Sequence, residues 1–301
     1  MASFGAAPVH VRVPATSANL GPGFDSAGLA LSLYDDVVVR VSGGGLRVEV
    51  EGEGAEEVAR DGTHLVVSSL RAAFDRLGAQ PPGLHVVCLN RIPHARGLGS
   101  SSAAIVAAIV AARALVVGGQ QSLSDDACLQ LANELEGHPD NVAACLRGGV
   151  TFAWLQDDGS PRVLPLEAHA DLAPIAFVPA TRSSTAAVRG LLPATVPYAD
   201  AVHNAARAAL LAHALTIDPS LLFAATADRL HQHYRAPAMR DTAELVARLR
   251  GRGVPAVVSG AGPTVLALST KATRAGLLSA EVPGWSARPL DVAVAGARVV
   301  A

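Results

Sequence analysis

Glycine and serine crowd one short stretch, Arg96-Gly97-Leu98-Gly99-Ser100-Ser101-Ser102, directly before an apolar, alanine-rich run that starts at Ala103. Glycines let the main chain come close to a ligand, successive N–H groups make an anion-binding nest, and a helix beginning there adds partial positive charge. Phosphate is the natural guest of such a site. The serine hydroxyls can add hydrogen bonds to phosphate or one ligand to magnesium, and Arg96 can bring a charge. No G-x-x-x-x-G-K-[ST] occurs, so this is not a P-loop, and without H-R-D and D-F-G it is not a protein-kinase loop. Taken alone, the stretch is equally a glycine turn capped by serines.

Such a loop has to be held by the elements around it. Val9, Val11 and Val13 alternate with His10 and Arg12, which predicts a half-buried strand, and a polar, glycine-rich loop follows from Pro14 to Asp25. Val37–Val41 and Leu46–Val50 flank Ser42-Gly43-Gly44-Gly45 and read as a hairpin, because glycine tolerates the positive φ of tight turns. Val66, Leu70, Ala73, Phe74 and Leu77 recur at helical spacing, and Pro81-Pro82-Gly83 ends that helix ahead of a strand over Leu84–Leu89. The phosphate-type loop therefore runs from a strand into a helix. Another helix is predicted from an N-cap at Ser124, with Asp125 and Asp126 in its first turn, towards Glu136, before Gly137-His138-Pro139 stops it.

Val150–Leu155 reads as a strand that carries Phe152 and Trp154 into the core. Gln156–Leu172, rich in Asp, Gly and Pro, suggests a boundary between two domains, residues 1–160 and 161–301. Beyond it Pro174–Val178 is strand-like, and Ala201–Leu215 and Thr242–Leu249 have helical periodicity. A second glycine-rich turn, Ser259-Gly260-Ala261-Gly262-Pro263-Thr264, lies between the short apolar runs Ala256–Val258 and Val265–Leu268. Strands and helices mix in blocks, which predicts α+β over a doubly wound parallel sheet.

Half of the 301 residues are hydrophobic and 17% are charged, a balance that favours a buried core over disorder. The 24 basic and 26 acidic side chains are spread along the chain, with a formal net charge of −2, so no nucleic-acid footprint is expected and a small-molecule partner is. Cys88, Cys128 and Cys145 are odd in number and far apart, which fits a reducing cytoplasm. The start of the chain lacks the features of a secretory signal, and the run Ala103 to Val117 contains Arg113 and is shorter than the ~20 residues of a membrane span. No membrane association is expected. The ten histidines, His231 and His233 among them, form no H-E-x-x-H or Cys/His cluster for zinc.

Three segments in order, Pro14-Ala15-Thr16-Ser17-Ala18-Asn19-Leu20-Gly21-Pro22-Gly23-Phe24-Asp25, the Arg96 loop and the Ser259–Thr264 turn, resemble the signature of the GHMP kinases. The first of them, and Glu136-Gly137-His138-Pro139-Asp140-Asn141-Val142, are similar to the branch of that family whose acceptor is homoserine. Thr185-Ala186-Ala187-Val188-Arg189-Gly190-Leu191-Leu192-Pro193 extends the resemblance into the second half. The resemblance implies a two-lobed α+β fold, with an N-terminal lobe like ribosomal protein S5 domain 2 and a ferredoxin-like C-terminal lobe. It also implies ATP and Mg²⁺ as cofactors, L-homoserine as substrate, and a homodimer.

Site roles follow from the same resemblance. Pro93, His94, Ala95, Arg96, Gly97, Leu98, Gly99, Ser100, Ser101, Ser102 and Ala103 are expected to hold ATP, and Ser101 with Glu136 the metal, Glu134 being the alternative carboxylate. Asn19, Asp25, His138, Arg189, Arg235, Gly260 and Gly262 are expected to meet the substrate. Asp25 suits the ammonium of an amino acid, and a guanidinium fork suits its carboxylate. Asp140 and Asn141 complete the catalytic set with Glu136, Asp140 acting as general base or orienting its loop by turn hydrogen bonds. His138 is equally placed to complement a helix C-terminus. Two other readings stay open in the sequence: a kinase of another alcohol, such as mevalonate or a sugar, and a non-catalytic nucleotide-binding regulator.

Overall fold

The computed structural model describes residues 3–183, 188–279 and 282–300. Its first strand, β1 (Val9–Ala18), pairs antiparallel with β2 (Ala27–Ser42) across a register shift between Pro14 and Ala15. The strand thus continues through Pro14–Ala18, which the sequence suggested to be loop. Val11, Val13, Ala15 and Ala18 are fully buried, and that burial outweighs the weak strand preference of the residues.

The expected hairpin is a misreading. β3 (Gly45–Gly52) leads through helix α1 (Leu65–Arg76) to β4 (Gly83–Asn90), and β4 inserts between β2 and β3, antiparallel to one and parallel to the other. β3 alternates Val48 and Val50 with Arg47, Glu49 and Glu51, as an edge strand with one wet face does; nearly all of β4 is apolar, and it takes the central place.

Helix α2 (Ser100–Leu115) begins three residues earlier than Ala103 and packs on β1, on α1, and on α3 (Asp125–Glu136) and α4 (Pro139–Arg147). Every side chain from Ile105 to Ala112 is buried, so this helix is apolar all round and forms the centre of the lobe. α3 starts as predicted, with Ser124 Oγ accepting from Ala127 N, and stops at Gly137, whose φ is +92°. α4 was not foreseen. Pro139 at its first position and Asp140 in its first turn are start signals, but they directly follow the stop signal of α3.

β5 (Val150–Leu155) pairs with the Ala27–Leu29 end of β2, and β6 (Pro161–Leu166) pairs with β5. Trp154 is 49% exposed there, contrary to the core placement expected, because β5 and β6 form the outer end of the sheet. The remaining strands are β7 (Ile175–Pro179), β8 (Ala256–Val258), β9 (Val265–Ala267), β10 (Trp285–Pro289) and β11 (Arg298–Val300). β11 returns to pair with β1, so the main path of the first sheet is β11-β1-β2-β4-β3. With β6 and β11 both in this sheet, the two sheets do not part at residue 160.

The second sheet has the order β10-β7-β9-β8 and is antiparallel throughout. The long helices of this half are α5 (Tyr198–Thr216), α6 (Arg240–Gly251) and α7 (Lys271–Leu278). With α6 before β8 and α7 before β10, the succession β-α-β-β-α-β is consistent with the ferredoxin-like lobe expected. None of the described helices is long and apolar enough to cross a membrane.

Candidate active site

Gly97 and Gly99 adopt positive φ, +74° and +70°. Each is also pressed against a neighbour: a Cβ on Gly97 would overlap Ser259 O, and one on Gly99 would overlap Thr16 Oγ1. Only glycine meets both demands. Gly99 caps α2, so Ser100, Ser101 and Ser102 form its first turn, where main-chain N–H groups have no intrahelical partner.

Ser101 Oγ and Ser102 Oγ donate to Glu136 Oε1 at 2.7 and 2.9 Å. Glu134 turns away, accepting from Arg76 and Gln130. A carboxylate and a hydroxyl beside an anion nest are hard oxygen donors of the kind Mg²⁺ takes together with phosphate oxygens. Among the described residues, no cluster of three or more His, Cys, Asp or Glu is arranged to hold a metal by itself.

Asp140 is 2% exposed in the first turn of α4, and its Oδ1 accepts from Asn141 N at 2.7 Å and from His138 Nδ1 at 2.8 Å. The hydrogen bond to Asp140 holds the His138 imidazolium above the ordinary histidine range; burial opposes it, and Glu136 and Asp25 add to it. Asn141 Oδ1 accepts from Thr16 Oγ1 at 2.8 Å.

Asn19, at φ +71°, donates from Nδ2 to Gly260 O and accepts from Asp25 N, both at 2.9 Å. Asp25 takes both outer nitrogens of Arg189, with Nη1 at 3.2 Å. Arg235 is 2% exposed and lies 5.1 Å from the Phe24 ring centre. Among the described residues its Nε has no partner, and its Nη1 makes only long contacts, 3.4 Å to His231 Nδ1 and 3.5 Å to Gly260 O. Burial pulls its pKa below the usual arginine value. An under-bonded, desolvated guanidinium is a strong attractor for an anion.

These groups meet in one pocket. Ala95, Gly97, Gly99, Ser100, Ser101 and Glu136 line its anion side; Asn19, Asp25, His138, Asp140, Asn141, Arg189, Arg235 and Gly260 line the other. Residues 64–149 match the family described as GHMP kinases N terminal domain. A homoserine kinase of Streptomyces avermitilis is 57% identical over 298 residues, which cover 99% of this chain and 97% of that one. One from Streptomyces coelicolor is 58% identical, covering 99% and 96%.

The chain belongs to the homoserine kinase family.

The crystal structure of homoserine kinase from Cytophaga hutchinsonii matches with a TM-score of 0.80 at 26% identity over 97% of each chain. The two-sheet α+β architecture is that of the GHMP kinases, and the chain is a kinase.

The side chains of several residues expected in the site of this kinase face elsewhere. Arg96 faces main-chain carbonyls, donating to Pro179 O and Ala180 O at 2.9 Å and His94 O at 3.1 Å; it anchors the loop to the end of β7 and brings no charge to the pocket. Gly262 packs on Met239 and Val258 outside the pocket. The Leu98 side chain is in the core and the Ser102 hydroxyl is buried against Glu136, which leaves their main chain to face the site, and Pro93 is buried and lines a different cavity with Arg96 and Pro179. Thr185, Ala186 and Ala187 lie outside the described residues.

His94 and Ala103 line a second cavity of about 340 Å³, which shares Ser100 and Ser101 with the first. Its walls include Val37, Val58, Leu65 and Val66, with Asp35, Thr63, His64 and Asn90 as polar groups. None of these was foreseen. They come from two strands, a loop and a helix start with no shared pattern, and the β3–α1–β4 crossover brings the others to Asp35 and Val37 on β2.

Proposed function

We propose that this kinase transfers the γ-phosphoryl group of ATP to the side-chain hydroxyl of L-homoserine, yielding O-phospho-L-homoserine and ADP on the route to threonine. Arg235 carries the reading: a buried guanidinium whose Nε has no partner among the described residues, in a pocket that also holds the Asp25–Arg189 pair and the anion nest. A zwitterionic amino acid answers both charges. Its ammonium engages Asp25, its carboxylate engages Arg235 and Arg189, and one internal ion pair is exchanged for two. Mevalonate and sugars have no ammonium for Asp25.

In this reading the triphosphate lies on Gly97–Ser102 and the nucleoside occupies the apolar cavity beside Ser100 and Ser101. Glu136 and Ser101 hold Mg²⁺, which neutralises charge between the phosphates when bound. Asp140 and Asn141 orient the acceptor hydroxyl for in-line attack, with Asp140 Oδ1 taken up by His138 and Asn141 and Oδ2, which accepts no hydrogen bond from the described residues, left to receive it. Family resemblance supports a homodimer in the cytoplasm. The test is ADP release with Mg²⁺ and a panel of L-homoserine, mevalonate, galactose and shikimate. Turnover is expected with L-homoserine; turnover of another alcohol in its place would overturn the substrate assignment.

A further inference from the structure

Thr16 stands where three contacts cross. Its main-chain N–H donates to Leu98 O at 3.0 Å, its Oγ1 donates to Asn141 Oδ1 at 2.8 Å, and the same oxygen fills the space that a Cβ on Gly99 would take. The residue is fully buried in β1. A threonine hydroxyl has a single hydrogen to donate, and here it goes to a side chain that lines the pocket.

The direction of that bond matters because an asparagine amide has an acceptor end and a donor end. With Oδ1 held by Thr16, Nδ2 lies on the side of the Asp140 carboxylate, 3.4 Å from Oδ1. The flipped amide would set two oxygens against each other at Asp140. Thr16 and Asp140 thus agree on one orientation, and it keeps the donor end of Asn141 beside the group that faces the acceptor.

We propose that Thr16 is a positioning residue for phosphoryl transfer, which fixes the Asn141 amide and ties it to the phosphate-holding loop through one buried strand residue. The inference rests on the reading above, in which Asp140 and Asn141 receive the hydroxyl and Gly97–Ser102 the triphosphate. The two reacting groups are then both referenced to Thr16, and in-line transfer depends on their alignment.

Thr16→Val keeps the shape and removes the hydroxyl, and Thr16→Ser keeps the hydroxyl. In steady-state kinetics, Thr16→Val is expected to lower kcat roughly 10- to 100-fold while both KM values stay within about threefold. Thr16→Ser should restore most of the lost kcat. In an Asn141→Ala background the valine should cost less than about twofold more, because the group it orients is gone. If the valine variant does not fold, Thr16→Ala replaces it under the same criteria. A folded variant with wild-type kcat, no rescue by serine, or full additivity with Asn141→Ala would each contradict the proposal while leaving the substrate assignment intact. Wild-type protein inert toward L-homoserine would overturn the substrate assignment and this inference with it.

Discussion

Asp35 lies 5% exposed on β2, with Oδ1 accepting from the main-chain N–H groups of Arg91 at 2.6 Å and Ile92 at 2.9 Å. Burial pushes its carboxyl up to about 6 from the ordinary 3.8, against those hydrogen bonds. Ionising it therefore costs folded-state stability: the loss is absent below 3.8, grows as pH rises through about 6, and amounts to roughly 3 kcal/mol above both values. Asp35→Asn keeps an oxygen for the two N–H groups and should be more stable than wild type near pH 8, with the Tm advantage fading as pH approaches ~4. An advantage independent of pH would contradict this.

The charges of the pocket behave differently. Arg235→Gln is expected to raise KM for L-homoserine roughly 10- to 100-fold, the value of a hydrogen bond to a charged group, with KM for ATP within about threefold. Thermal stability should not fall, because an under-bonded buried cation is removed. Unchanged kinetics would remove Arg235 from the substrate site. At this scale the sequence was legible only through family wording. Nothing in their spacing brings Asp25, Arg189 and Arg235 together, and Arg96 and Gly262, which adjoin pocket residues in the sequence, face away.

Among the elements, the loop ahead of α2 was the most legible, because positive φ and close approach both demand glycine and the sequence records that demand. Gly99→Ala is expected to abolish ATP binding in titration calorimetry and to cost ~1–2 kcal/mol in φ alone, before its overlap with Thr16. Gly44→Ala, with nothing within 4 Å of an added Cβ, should stay within about 0.5 kcal/mol of wild type in denaturant unfolding. Equal effects at the two glycines would contradict the account of the loop. Ser124 and Gly137 marked α3 correctly, since caps are local chemistry. Strand pairing is not local: the glycines after Ser42 predict a turn, but only burial of apolar β4 decides that β3 ends up parallel to it and away from β2.

Across the whole molecule, the Ser259–Thr264 turn stitches the second sheet to the first at the site. Ser259 Oγ contacts Ser17 Oγ at 2.8 Å and Gly97 O at 2.6 Å, Gly260 N donates to Ala18 O at 3.1 Å, and Thr264 N donates to Arg96 O at 3.3 Å. β11 adds a second return from the end of the chain. The sheets are thus expected to unfold in one calorimetric transition, which moves upward with MgATP by about 2.7 kcal/mol at a hundredfold excess over Kd. Two separate transitions would contradict this coupling. The α+β class was readable from the mixture of strand and helix signals, whereas the return of β6 and β11 to the first sheet was not, because composition marks loops and not partners.

The most direct test of the central claim is ³¹P NMR of the purified protein with ATP, Mg²⁺ and L-homoserine. The account predicts a new phosphomonoester resonance, coupled to the side-chain methylene of homoserine, growing in step with ADP. Release of inorganic phosphate alone, or ATP left intact by folded protein, would contradict it.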